Sequence, residues 1–385
     1  MSKVKSPLSI RKQIFFWVCL LGIVLLIPFF VTAGYFGYKK LKYSFEIGNS
    51  FGEFDNELGW TLKKNVSSYI RGRSLLTGEI YFNSSVYTNA HGFRTQKLST
   101  KVVPGGIVAI GDSWTFGYCV NYEETYPYFL EKFLNIPVAN LGVPAYGSGS
   151  TYGLFKRHVS KLQPKLVVYL TSGLWTRSVS TTYPPVYTKD IYQSDLRLIP
   201  YFYYDKKKDR GQIKFPKQGV VSKSVKEGFY PGGSLTAGYN TFNYLWYVKV
   251  PQIISLTKSY LPKLSSTNSQ INQENEKYKI SKILKYEVDL YGELAGLHKF
   301  KLLIIDLTDN YFSVVEKFNK EHPDQNIIFI GKKEFYEKVY TKGIDIGLTA
   351  EEIRVPMDGH FGSGTNKLIA EMITDKIKSM KIKLK

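Results

Sequence analysis

The stretch Ile107-Val108-Ala109-Ile110-Gly111-Asp112-Ser113-Trp114-Thr115-Phe116-Gly117 decides how this chain is read. Four apolar residues in a row make a short strand buried on both faces. The strand ends at Gly111-Asp112-Ser113, where glycine lets the backbone turn sharply. Downstream, Thr125 predicts the cap of a helix starting near Tyr126, with Pro127 tolerated in its first turn. Tyr128, Phe129 and Phe133 are expected on its buried side. Residues 137–141 read as a second strand followed by a Gly/Ser loop. Residues 151–162 carry Leu154, Phe155, Val159 and Leu162 at helical spacing. Residues 165–171 read as a third strand. Strands and helices alternating at these lengths predict a parallel sheet covered by helices.

Further out, the alternation stops near Ser178. A long stretch rich in Tyr, Pro and Lys follows with no clear period, and Tyr201-Phe202-Tyr203-Tyr204 runs straight into Asp205-Lys206-Lys207-Lys208. Residues 265–276 read as a polar linker and 278–297 as a helix. Residues 301–307 and 326–330 read as strands. The last helix, 366–380, places Leu368, Ile369, Met372, Ile373 and Ile377 on one face. The sheet therefore resumes after an insertion. Upstream, residues 44–100 hold short alternating stretches such as Glu79-Ile80-Tyr81-Phe82. The expected division is 1–43 a basic segment with a membrane anchor, 44–104 a β-rich lead-in, 105–177 the first part of the core, 178–277 an insertion, and 278–385 the second part of the core. No internal repeat is present.

The 385 residues are 43% hydrophobic and 22% charged, a globular balance that excludes a mostly disordered chain. Two Cys exclude a disulfide framework and a thiolate zinc cluster. Lys+Arg 52 against Asp+Glu 32 gives a net charge of +20, a field that attracts anionic glycans or lipid surfaces as readily as nucleic acid. No RNA-binding aromatic signature, zinc-finger spacing or recognition helix is present, so nucleic acid is not an expected partner.

Residues 14–36 form a nearly continuous apolar run without a charge, long enough to cross a hydrocarbon core of about 30 Å. Lys3, Lys5, Arg11 and Lys12 precede it. It reads as an uncleaved single-pass anchor with the N-terminus in the cytoplasm. The alternative is a signal peptide cleaved after Val31-Thr32-Ala33. Either reading places the remaining chain outside the cytoplasm.

The chemistry rests on a serine and a histidine. Ser113 ends a parallel strand just before a helix, where open α/β sheets place ligands. An alcohol needs a base within hydrogen-bond reach to act as a nucleophile. Of five His, nothing around His91, His158, His298 or His322 points to catalysis. His360 lies in Val355-Pro356-Met357-Asp358-Gly359-His360-Phe361-Gly362-Ser363-Gly364, a loop before the last helix. Asp358 could fix its tautomer, giving the order Ser…Asp…His.

These residues carry a resemblance to the SGNH/GDSL hydrolase family. Gly111 to Gly117 matches its first block, Asn140-Leu141-Gly142-Val143-Pro144-Ala145-Tyr146-Gly147 resembles its second, and Asp358-Gly359-His360 its last. The resemblance implies a flavodoxin-like three-layer α/β/α fold, Ser113 as nucleophile, His360 as base and Asp358 as its orienter. It also implies an oxyanion hole from the N–H groups of Ser113 and Gly142. No cofactor or metal is expected. The third block departs from the pattern. Leu170-Thr171-Ser172-Gly173-Leu174-Trp175-Thr176-Arg177 lacks the Asn that acts as third oxyanion donor. Leu58-Gly59-Trp60 and Asn89-Ala90-His91-Gly92-Phe93-Arg94 resemble elements before the catalytic block in envelope proteins of the family, several of them tied to surface-polysaccharide acylation. The other reading of Gly92-Phe93-Arg94 is a structural turn.

The insertion is expected near the Ser and His loops, as a lid or substrate wall. Tyr183-Pro184-Pro185-Val186-Tyr187 and Tyr244-Leu245-Trp246-Tyr247 are candidate sugar platforms, or else part of the insertion's own core. The leading expectation is a membrane-anchored, extracytoplasmic serine esterase or O-acyltransferase acting on acyl, chiefly acetyl, esters of a carbohydrate. A transferase would need a membrane partner to supply the acyl donor. A glycan-binding or assembly protein without turnover is the second expectation, and a lipid esterase the third.

Overall fold

The computed structural model describes Trp17 and residues 43–74, 76–98, 100–177, 179–181, 196–216, 266–356, 358–382 and 384. Apart from Trp17, the apolar run 14–36 lies outside these residues, as do both aromatic platforms of the insertion. Among the described residues, no helix is long and apolar enough to cross a membrane.

The lead-in comprises β1 (Tyr43–Ile47), the hairpin β2 (Gly52–Asp55) and β3 (Gly59–Leu62), then β4 (Ser67–Ser74), β5 (Ile80–Thr88) and β6 (Arg94–Thr95). Next come β7 (Ile107–Gly111), β8 (Val138–Asn140) and β9 (Leu166–Thr171). Two hairpins follow, β10 (Val179–Thr181) with β11 (Leu196–Leu198), and β12 (Tyr201–Asp205) with β13 (Arg210–Lys214). The last strands are β14 (Lys301–Asp306) and β15 (Ile328–Ile330).

Nine of these strands form one sheet in the order β1-β4-β5-β6-β8-β7-β9-β14-β15. From β8 to β15 the strands are parallel. Within that part the chain order reads second, first, third, fourth, fifth, the flavodoxin-like order of a doubly wound sheet. The lead-in continues the same sheet with antiparallel strands, joined where Arg94 of β6 pairs with Asn140 of β8. The residue patterns follow from this. All of β7 and β9 is buried, because helices cover both faces. β4 alternates buried with more exposed residues, because one face meets a core.

The main helices are α1 (Ser113–Phe116), α2 (Tyr126–Leu134), α3 (Ser148–Leu162), α4 (Ser266–His298), α5 (Phe312–Glu321) and α6 (Ser363–Ser379). On one face of the sheet Val108, Ile110, Val167 and Ile304 share a core with Phe155 and Val159 of α3, Leu284 and Tyr291 of α4, and Phe318 of α5. On the other, Ile107, Ala109, Val168 and Ile305 share a core with Tyr126 and Leu130 of α2 and Ile369, Met372 and Ile373 of α6. Three layers result.

Two expectations are corrected. The buried stripe of α2 is Tyr126 and Leu130, one turn apart, whereas Phe133 is 37% exposed and Tyr128 and Phe129 are half-buried. The apolar residues outnumber what the α2–sheet contact can cover, so the flank is left at the surface. The polar linker 265–276 is helical from Ser266 onward. It is polar, but no Gly or Pro interrupts the chain until Gly292, and nothing local stops the helix.

The described part of the insertion packs on the core. Phe202 is fully buried. Asp209, at the β12–β13 turn, accepts hydrogen bonds from Tyr204, from Tyr278 at 2.8 Å and from Lys282 of α4 at 2.8 Å. The Gly92 segment makes a turn. Gly92 has φ 78°, and Asn89 Oδ1 accepts from the backbone N–H of His91 and Phe93. Arg94, 1% exposed, donates to Ser85 O and Val120 O and lies 4.7 Å from the Phe116 ring centroid. The lead-in thus buttresses the helix that begins with Ser113.

Candidate active site

Ser113 stands at the carboxyl end of β7, at the point where the chain order switches from one side of that strand to the other. The turn needs Gly111, since a Cβ there would lie 2.3 Å from Thr115 Oγ1 and 2.7 Å from Leu170 O. Asp112 caps α1, its Oδ1 accepting from Trp114 N at 3.0 Å and its Oδ2 from Ser172 Oγ at 2.7 Å. Burial pushes the Asp112 carboxyl up, and these two donors oppose it. Asn140 braces the turn from behind. Its Nδ2 donates to Thr115 O at 2.9 Å and its Oδ1 accepts from Gly142 N at 2.9 Å.

His360 comes from a loop closed on itself before α6. Val355 N donates to His360 O at 2.8 Å, Gly359 N donates to Val355 O at 3.0 Å, and Gly359 takes φ 85°, a conformation that favours glycine. His360 Nδ1 is hydrogen-bonded to Asp358 Oδ1. Its other nitrogen, Nε2, lies 2.7 Å from Ser113 Oγ, although the two residues are 247 positions apart. Trp114 and Tyr118 flank the imidazole, with ring centroids at 5.0 Å and 5.2 Å. The His360 side chain is 21% exposed and that of Asp358 12%. A ligand can reach the base while its carboxylate partner stays covered.

The structure therefore brings Ser113, His360 and Asp358 together. It does not do the same for Gly142, whose N–H already has Asn140 Oδ1 as acceptor. Gly142 packs so closely on α1 that a Cβ would lie 2.2 Å from Phe116 N. Its place is behind the nucleophile turn. Ser113 N–H lies in the first turn of α1, where the helix itself supplies no acceptor. In the third-block stretch, Ser172 donates to Asp112, Thr171 Oγ1 accepts from Gly173 N, and Arg177 Nη1 donates to Ala145 O at 3.0 Å. Ala145 adopts φ 62° in the loop before α3.

Three neighbours of the site were not singled out by their types. Cys119 is buried, and burial together with the adjacent Asp358 carboxylate pushes its thiol up. Tyr118 packs on His360, and Arg354 reaches back over the Asp–His loop. Tyr118 and Cys119 follow the Gly111–Gly117 motif directly, which is the one signal that could have found them. The remaining histidines pack elsewhere. His158 meets Phe93 edge-on, with burial lowering its pKa to about 4, and His322 meets Phe318. Among the described residues, no group of three or more His, Cys, Asp or Glu could hold a metal ion.

A hydroxyl, an imidazole that can take its proton and a carboxylate that orients the imidazole are the parts of nucleophilic acyl transfer. No family model matches the chain, and no curated protein does. Solved structures similar to it include a G-D-S-L family protein from Desulfitobacterium hafniense DCB-2, at 13% identity over 70% of this chain and 98% of that one, with a TM-score of 0.33. The psychrotrophic esterase EstA from Pseudoalteromonas sp. is 10% identical over 71% and 97%, with a TM-score of 0.32. Salicylyl-acyltransferase SsfX3 from a tetracycline biosynthetic pathway is 10% identical over 81% and 63%, with a TM-score of 0.37. Likenesses this distant carry no chemistry over to this chain.

Proposed function

We propose that this protein is a serine esterase or O-acyltransferase of the SGNH/GDSL type. The observation that carries the reading is the Ser113 Oγ to His360 Nε2 approach of 2.7 Å, with His360 Nδ1 held by Asp358. Ser113 Oγ would attack an acyl carbonyl while His360 takes the hydroxyl proton. Ser113 N–H would face the developing oxyanion. His360 would then return the proton to the departing alkoxide, leaving an acyl-serine. Water or an acceptor hydroxyl would attack that ester by the same steps in reverse.

The finer reading is a chain anchored through residues 14–36, working outside the cytoplasm on acyl, chiefly acetyl, esters of a carbohydrate. The charge-free apolar run and the +20 balance support it. A membrane partner would supply the acyl donor to a transferase. The second reading, a glycan-binding protein without turnover, is favoured by the engaged Gly142 N–H and by a third block without Asn. One experiment separates the two: acyl-enzyme formation from 4-nitrophenyl acetate, wild type against Ser113→Ala. Covalent acetyl on the wild type alone is expected. Equal labelling of the two proteins would refute an acyl-serine, and glycan binding that survives Ser113→Ala without turnover would select the second reading.

A further inference from the structure

The Asp–His loop is anchored at its two ends, where Val355 is 4% and Phe361 3% exposed. Three backbone hydrogen bonds close it, the third from Gly362 N to Ile353 O at 3.1 Å, and Gly359 at its tip is exposed. The exposed tip between these ends would sample several orientations unless something outside it fixed the peptide between Asp358 and His360. Arg354 sits at the neck of the loop, where it pairs with Phe361 as an antiparallel bridge. Its Nη1 donates to Gly359 O at 2.7 Å, the carbonyl of the peptide that joins Gly359 to His360. Its Nη2 donates to Tyr340 Oη. The same guanidinium lies over Trp114, with Cζ 5.0 Å from the ring centroid, and 5.2 Å from the Phe361 centroid. Trp114 follows Ser113 directly and packs on both His360 and Phe361.

We propose that Arg354 is a positioning residue: one planar group grips the His360 peptide and stacks on the residue next to Ser113, fixing the loop at the distance where Nε2 meets Oγ. The chemistry favours arginine over lysine. A planar fork can give one N–H to a carbonyl and another to a phenol while its face lies on an indole, whereas an ammonium is a point donor without a face. A charged donor to a peptide carbonyl contributes more than a neutral one. Small misplacements of a catalytic group cost large factors in rate.

The inference rests on Ser113 and His360 acting as nucleophile and base, and its test separates the two claims. Full-length Arg354→Met and Arg354→Lys are compared with wild type and Ser113→Ala for turnover of 4-nitrophenyl acetate. Each is also examined by proton NMR for the downfield His360 Nδ1–H resonance, assigned by its loss in His360→Gln. Arg354→Met is expected to lower kcat roughly ten- to a hundredfold with KM changed less than about twofold. Its downfield resonance is expected to broaden or shift, with lysine restoring only a minor part. An unmoved resonance with wild-type kcat in Arg354→Met would overturn the proposal. So would full recovery by lysine, or a loss that appears in KM alone. If Arg354→Met does not fold, the lysine variant alone decides by the same readouts. If wild type turns over no faster than Ser113→Ala, the enzymatic reading fails, and the resonance still tests whether Arg354 sets the loop.

Discussion

Ser113 and His360 meet across one hydrogen bond but are held in place by different means. Ser113 opens α1 just after a strand whose residues are all buried, and α1 is braced by Asn140, capped by Asp112 and packed on Gly142. His360 stands near the tip of a surface loop whose ends, Val355 and Phe361, are buried and which is held by three backbone hydrogen bonds, a carboxylate and a guanidinium. The nucleophile is placed by the core, and the base by polar contacts at the exposed tip of a loop of which only the ends are buried. Changes around Ser113 should therefore cost fold and activity together, while changes around His360 should cost activity alone.

The largest effect expected on the rim side comes from Asp358→Asn. The amide leaves the loop's geometry in place but favours the wrong tautomer of His360, and kcat should fall by about 10³–10⁴. The thermal midpoint should stay within about two degrees. A stability loss matching the activity loss would erase the contrast between the two halves.

Gly142→Ala tests the other half. The new methyl would lie 2.2 Å from Phe116 N and 2.6 Å from Thr115 C, both backbone atoms that cannot swing aside. Stability should fall by about 1–3 kcal/mol, with a loss of acetyl-ester turnover because α1 carries Ser113. Calorimetry and kinetics on one preparation check both, and a stable but inactive variant would mean Gly142 acts on the chemistry after all.

The smallest effect concerns the core behind the nucleophile. Glu287 of α4 is fully buried and accepts from Tyr169 at 2.9 Å and Tyr311 at 2.8 Å, with the Ser148 hydroxyl 2.9 Å from the Tyr169 oxygen. Burial pushes its carboxyl up from 4.5 to about 7, while the phenols oppose. The folded protein thus holds this proton more tightly than the unfolded chain. The stability it contributes is full below pH 4.5 and is lost as pH rises through about 7. Glu287→Gln should gain on wild type by a few degrees in thermal midpoint between pH 5 and pH 8. Parallel melting curves across that range would exclude Glu287 as the source.

Much of this was legible in particular residues. Ile107 to Ile110 had to be a doubly covered strand, Gly111 had to turn, Thr125 had to cap, and Leu368, Ile369, Met372, Ile373 and Ile377 had to face a core. All five do. The face of α2 was misread, since which apolar flank is covered depends on how α2 and α6 share the sheet. Residues 265–276 were misread because polar composition does not break a helix when Gly and Pro are absent.

By itself, then, the sequence determined the alternation of strand and helix, the turn that presents Ser113, and the loop that pairs Asp358 with His360. Each depends on residues a few positions apart, whose sterics and hydrogen bonding act locally. Only the tertiary structure decided that Ser113 and His360 touch and that Gly142 N–H turns to Asn140. It also decided that Arg354 grips the His360 peptide and that β6 joins the lead-in to the sheet. Those outcomes depend on which donor meets which acceptor once two packed cores have fixed the distances between segments far apart in the chain, and no local window of sequence contains that information.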